Sequence, residues 1–365
     1  MNGFISYIKP FTGLIIIGIM GWYFSDLLIY IVISAVLSII GKPLVKWLNR
    51  LKLGKYQMPN TLSAVLTLMT IVMGFLSFIF FIIPLINKQA IMIAEIDTLA
   101  INKHFAEALN SIQNLLISYR IMEPEQSINS LIEANLTQLV KATNVSAMFT
   151  KLIGATSTLM MGVFIILFLT FFFLKEKNLL RLSILAIIPE KYTIDMGKLL
   201  TDTRTLLTRY FLGLLMEIGV MMTIIGLTLS VLGVRNALII GFLGGLMNVI
   251  PYLGPIIGAC IGILLGVISV LSLGMYDALF PTMLTILLTF AGANLIDNFL
   301  LQPIIYSKSV KAHPVEIFLV IIMAGKLAGI GGMVLAIPVY TVIRLIARQF
   351  LSSARIVAAI TRNMN

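Results

Sequence analysis

Charged side chains are scarce in this chain. They make up 11% of its 365 residues, whereas soluble domains carry about 25%. Hydrophobic residues reach 59% and the mean hydropathy is +1.04. That balance excludes an ordinary soluble domain and indicates an all-α polytopic membrane protein. Acids are rarer than bases, 15 against 26. The net charge of +11 does not point to nucleic acid, because the basic residues fall in short segments between apolar runs. It reads as positive-inside bias and attraction to anionic lipid headgroups. Cys260 is the single cysteine, which excludes an intrachain disulfide, and its apolar surroundings mark it as a buried packing residue. His104 and His313 are the only histidines, and neither lies in an HExxH or Cys/His cluster, so no zinc site is expected. The patterns GxxxxGK(S/T) and GxSxG are missing, which removes support for an ATP-driven pump or an elbow-serine hydrolase. An intramembrane aspartyl protease would need GxGD, and Asp297 instead reads LIDN. The expectation is a protein that is not an enzyme and holds no cofactor.

What is present is a series of apolar segments separated by basic ones. Residues 11–24 and 26–41 form a retained membrane hairpin around Ser25-Asp26 rather than a cleaved signal. The segment 42–58 holds Lys42, Lys46, Arg50, Lys52 and Lys55 and no acid, the strongest cytoplasmic signal in the chain. A long span follows over 61–86, ending at Pro84. Residues 87–151 lack any run long enough to cross a membrane, and their helical apolar spacing reads as an extracytoplasmic amphipathic segment. Its apolar faces must be buried somewhere, and a neighbouring subunit would do so, hence an expected homo-oligomer. Residues 154–174 cross back. A basic stretch over 175–209 turns at Pro189–Tyr192, and 210–232 crosses outward. The domains are therefore expected at 1–86, 87–151 and 152–365, with the last as the transport core.

Two zones of that core resist a continuous helix. In GFLGGLMNVIPYLGPIIG, residues 241–258, Pro251 and Pro255 each delete a backbone donor, and Gly254 removes bulk beside Asn248 and Tyr252. Residues 237–250 and 255–273 are either two full spans or the arms of a re-entrant hairpin with its tip at 249–255. The second zone, 326–332, follows Gly325 and holds Lys326, Gly329, Gly331 and Gly332, a poor helix interior. It fits a second hairpin entering from the other side. Broken helices with polar tips are how secondary transporters hold solutes. The bland alternative is a kinked packing helix with a small-residue face.

Charge inside an apolar span needs a reason, because it costs roughly 2.5–3.5 kcal/mol at a helix centre. Asn294, Asp297, Asn298 and Gln302 recur at α-helical spacing on one face, a wet path or an interhelical network. Glu217 lies deep in another span, where it either carries a proton or cation or pairs with a base. Lys326 either balances Asp297 or Glu217, binds solute, or reaches the interface on its long stem. Asp277 and Glu316, near segment ends, read as interfacial.

Three pieces carry a family resemblance: GFLGGLMNVIPYLGPIIGA at 241–259, DNFLLQPIIYSKSVKAHPVEIFL at 297–319 and GKLAGIGGMVLAIPVY at 325–340. In content, order and spacing the chain resembles the bacterial autoinducer-2 exporter family of permease-like transporters. The positions that match are Asn248, Pro251, Tyr252, Gly254, Pro255, Asp297, Pro303, Lys308, His313, Pro314, Gly329, Gly331, Gly332 and Pro338. Glu217 matches no motif of that family. The resemblance implies a multi-pass protein of the bacterial inner membrane with about eight membrane segments and both termini cytoplasmic. It also implies a secondary transporter for a small-molecule solute, with membrane lipid as its surroundings. Members are linked to export of a furanone-type quorum signal and others to sodium/proton exchange. Three functions follow: export of a small polar organic solute with Asp297 setting the polarity of the path, sodium (lithium)/proton antiport through Asp297 and Glu217, or a membrane scaffold that transports nothing.

Overall fold

The computed structural model describes residues 23–53, 56–94, 117, 156–176, 178–303 and 313–350. The first apolar segment, nearly all of the amphipathic segment, Lys308 and the C-terminal tail lie outside them. The described chain is helical except for a two-residue antiparallel ladder. Its helices are α1 (Ser25–Leu48), α2 (Asn60–Ala94), α3 (Thr156–Lys175), α4 (Leu179–Ile187), α5 (Thr193–Val231), α6 (Ala237–Met247), α7 (Leu253–Leu271), α8 (Leu279–Ile296) and α9 (Pro314–Phe350). Among the described residues six helical stretches are long and apolar enough to cross a membrane, and two shorter ones are apolar. Phe80, Val231, Phe299 and Leu327 are each more than three-quarters exposed. Such surfaces are stable against acyl chains and not against water. The protein is a multi-pass membrane protein.

Several boundaries differ from the expected ones. The basic segment is not a loop throughout: α1 runs on through Lys42, Pro43 and Lys46. Only then does the ladder form, pairing Lys52 with Gln57 and Leu53 with Tyr56. Pro84 does not end its helix but lies inside α2. A proline there removes one backbone bond without breaking the helix outright. The amphipathic stretch after Pro189 and the following span are a single 39-residue helix, α5. At 1.5 Å per residue it is about 58 Å long, nearly twice a hydrocarbon core of about 30 Å. Cys260 is exposed, not buried, because α7 packs through its glycine row instead.

The chain forms two compact units, one from residues 1–76 and 151–200, the other from 77–150 and 201–365. In the first, Val45, Ala64 and Leu174 make an apolar core. Gly41 of α1 lies against Thr67 of α2 and Leu174 of α3. Ser34 donates to the Ile166 carbonyl at 3.0 Å, and Asn60 donates to the carbonyl of Lys175.

The second unit contains two helical hairpins. In the first, the close pairs Met247/Gly254, Gly244/Gly258 and Ile240/Gly262 all centre on residues 250–251, so α6 and α7 fold back on each other there. In the second, the helix is interrupted at Ala328 (φ −139°, ψ 22°) and Gly329 (φ 59°, ψ −146°). The latter conformation is open only to glycine. Beyond it Gly332 lies against the Ala324 carbonyl and Gly325 against Met333. The Tyr340 hydroxyl donates to Glu316 Oε2 at 2.9 Å. In a straight helix these last two residues would stand about 36 Å apart. α9 is therefore two antiparallel arms, 314–327 and 330–350. In each hairpin a short arm precedes a longer one. Glu316, near the start of the first arm, thus ties the two arms of the second hairpin together.

Candidate functional site

The first hairpin is held between α5 and α8 by glycines. A Cβ on Gly241 would lie 2.4 Å from the Gly226 backbone, and one on Gly245 would lie 2.5 Å from Met222. Any side chain at either position would push α6 off α5. On the other side, Phe290 of α8 presses its ring into a socket made by Gly244, Gly258 and Gly262. Ile225, Ile240 and Ile286 complete a core in which each is almost fully buried. The register of these contacts continues along α5, from 226/241 through 222/245 to Glu217 and Asn248.

The hairpin apex closes with a γ-turn. Leu253 N–H donates to the Pro251 carbonyl at 2.8 Å and Gly254 N–H to that of Ile250 at 2.7 Å. The central residue, Tyr252, has φ 65° and ψ −44°, a rare and strained geometry for a bulky side chain. Gly254 is required by space: a Cβ would sit 2.1 Å from the Met247 carbonyl oxygen.

Three buried polar side chains meet at this apex. Glu217, Asn248 and Asp297 are 4%, 3% and 1% exposed. Asn248 Nδ2 donates to Glu217 Oε1 at 3.0 Å. Gln302 Nε2 donates to Asp297 Oδ2 at 2.9 Å. Asn248 and Glu217 stand beside Asp297, yet Asp297 Oδ1 is buried without a hydrogen-bond partner among the described residues. A buried acceptor left without a donor costs about 1–3 kcal/mol, more when charged. Tyr210, buried and two turns before Glu217 on α5, lies within electrostatic reach of that carboxylate. The sequence reading missed it; its i, i+7 relation to Glu217 was the signal.

The four polar residues at and just beyond the end of α8 are joined by hydrogen bonds at both four- and five-residue spacing. Residues Asp297–Leu301 form a π-turn. Its wider turn brings residues five apart into line, so Gln302 lies over Asp297. The same Gln302 amide joins Asp297 to an outer ladder: Asn298 donates to Asn294 Oδ1 at 3.3 Å, and Gln302 donates to Asn298 Oδ1 at 3.0 Å. Asn298 is exposed.

Of the residues expected to form a site, Glu217, Asn248, Asp297 and Gln302 come together, with Pro251, Tyr252, Gly254 and Pro255 shaping the apex. Lys326, Gly329 and Gly331 form the exposed apex of the second hairpin. Lys326 pairs with neither Asp297 nor Glu217, because it lies at the tip of a different hairpin and points away from protein. Amides from Asn248 and Gln302 bond the two buried carboxylates, and of the three readings of Lys326 the one that pairs it with them is not met.

Residues 11–352 match the family described as AI-2E family transporter. The chain is 27% identical over 332 residues to "Putative transport protein YueF" of Bacillus subtilis, covering 88% of this chain and 84% of that one. It is 32% identical over 185 residues to "Putative transport protein YrrI" of the same organism, covering 50% of each. A 24% identity over 246 residues links it to a "Putative transport protein" of Methanocaldococcus jannaschii, covering 66% of this chain and 68% of the relative.

Proposed function

The chain belongs to the AI-2E transporter family, and we propose that it exports a small polar organic solute, of the furanone quorum-signal kind, past the Glu217–Asn248–Asp297 cluster. One observation carries the reading: Asp297 Oδ1 is a buried acceptor with no donor among the described residues, at the apex of a broken hairpin. Two carboxylates facing each other among apolar helices need a positive partner or hydrogen-bond donors between them. A hydroxylated solute brings such donors. In this reading the two hairpins dip into the membrane from opposite faces, and Asp297 sets the polarity of the path. The membrane is the bacterial inner membrane, with both termini on the cytoplasmic side.

The adjacency of Glu217 and Asp297 favours a second reading, sodium or lithium/proton antiport, in which the bound partner is a cation or proton. Proteoliposomes separate the two. Solute counterflow that is abolished by Asp297→Asn, with no sodium flux driven by a pH gradient, supports export. A pH-gradient-driven sodium flux without counterflow replaces export with antiport. An Asp297→Asn protein that transports at the full rate removes both readings and favours a scaffold.

A further inference from the structure

At the end of the first hairpin opposite its apex lies a cavity of about 220 Å³. Its polar lining comes from Arg235, Ser269, Thr282 and Thr285. The α5–α6 loop that carries Arg235 is tightly built. Val234 N–H closes on the Leu229 carbonyl at 2.9 Å. Asn236, at φ 56°, donates to Ser269 Oγ at 2.7 Å and accepts from Lys88 Nζ at 3.4 Å. Ser269 and Thr285 use their hydroxyls locally, the latter on the Pro281 carbonyl. The Thr282 hydroxyl and the Arg235 guanidinium have no partner among the described residues.

The rest of the wall identifies the surroundings. Leu232, Leu273 and Met275 line the same cavity and are 57%, 42% and 52% exposed. An apolar rim around a cation is unfavourable in water and favourable at the boundary between acyl chains and headgroups. The cavity also lies where α5 and α7 end and α8 begins, the level at which membrane-crossing helices meet headgroups. We infer that this cavity is a binding site for the headgroup phosphate of an anionic phospholipid. Arg235 pairs with the phosphate and Thr282 donates a hydrogen bond to it, while the acyl chains leave over the apolar rim. Lys88, held by Asn236, adds positive potential at the entrance.

The test is native mass spectrometry of the full-length protein in detergent, with phosphatidylglycerol and phosphatidylcholine supplied in equal amounts. Phosphatidylglycerol should be retained about fivefold over phosphatidylcholine, the ratio expected from one basic residue at a membrane surface. Arg235→Gln should bring that ratio close to one, Arg235→Lys should keep most of it, and Thr282→Val should lower it. Glycerol 3-phosphate at the same concentration should not displace the lipid. Equal retention of the two lipids by the unmodified protein would overturn the proposal. So would an unchanged ratio in both Arg235→Gln and Thr282→Val. Displacement by glycerol 3-phosphate would assign the cavity to a soluble phosphate ester instead.

Discussion

Gln302 holds Asp297 twice. Its backbone N–H bonds the Asp297 carbonyl across the π-turn, and its side-chain Nε2 donates to Oδ2 at 2.9 Å. One oxygen of the carboxylate is thereby fixed while the other is left bare toward Asn248 and Glu217. π-turns often mark sites where an inserted residue re-aims a side chain, and here that side chain is the most buried acid described.

Replacing Gln302 by Ala removes the side-chain bond and leaves the backbone bond. A hydrogen bond to a charged group contributes about 1.5–3 kcal/mol, so transport should fall roughly 10- to 100-fold. Initial flux in proteoliposomes, normalised to inserted protein, checks this. Wild-type flux would show that the amide does not position the carboxylate for transport.

Glu217→Gln keeps the shape of the Asn248 contact and removes one carboxylate. If organic solute is the cargo, counterflow should persist at a reduced rate, because Asp297 remains. If a cation is the cargo, flux should disappear. The variant is therefore read by isotope exchange of each cargo in parallel.

Gly254→Ala places a methyl group against the Met247 carbonyl, at 2.1 Å. Forcing atoms into a packed turn costs about 1–3 kcal/mol, so the thermal midpoint in detergent should drop by several degrees. Gly331→Ala should not lower it, since nothing lies within 4 Å of that position. Its neighbour Gly332→Ala should behave like Gly254→Ala, because a Cβ there would meet the Ala324 carbonyl at 2.2 Å. Equal midpoints for the three variants would contradict the hairpin packing.

Cysteines at positions 316 and 340 should be joined by a short bifunctional thiol reagent, since Tyr340 and Glu316 are in hydrogen-bond contact. A straight α9 would keep them about 36 Å apart, and no such reagent would span that distance. Absence of the cross-link, with both cysteines reactive singly, would mean that the arms do not fold together.

Single cysteines at 274 and 313 should react with a membrane-impermeant reagent from opposite faces of the membrane, as expected if the two hairpins enter from opposite sides. Labelling from one face would remove the inverted arrangement and the transport path built on it.

Much of this molecule follows from local backbone chemistry. Pro251 and Pro255 cannot sit in an unbroken helix, and the glycine run at 325–332 weakens one, so both reversals could be placed from residue types alone. The membrane class followed from hydropathy, and the candidate acids from the cost of charge in an apolar run. The π-turn was not legible, because no residue type signals a shift from four-residue to five-residue hydrogen bonding. The α-helical period put Asp297 and Gln302 on one face, and the π-turn makes them a directly bonded five-residue pair that this period does not give. Nor could the chain order show that Glu217, Asn248 and Asp297 meet. That depends on what stands opposite each glycine: Gly226 against Gly241, Met222 against Gly245, and Phe290 in its three-glycine socket. A glycine says only that space is needed; the helix that fills it is chosen by packing at long range. The same holds for Lys326, for which the sequence left open a carboxylate, a solute or the interface as partner, and which the fold of the second hairpin puts at an exposed tip.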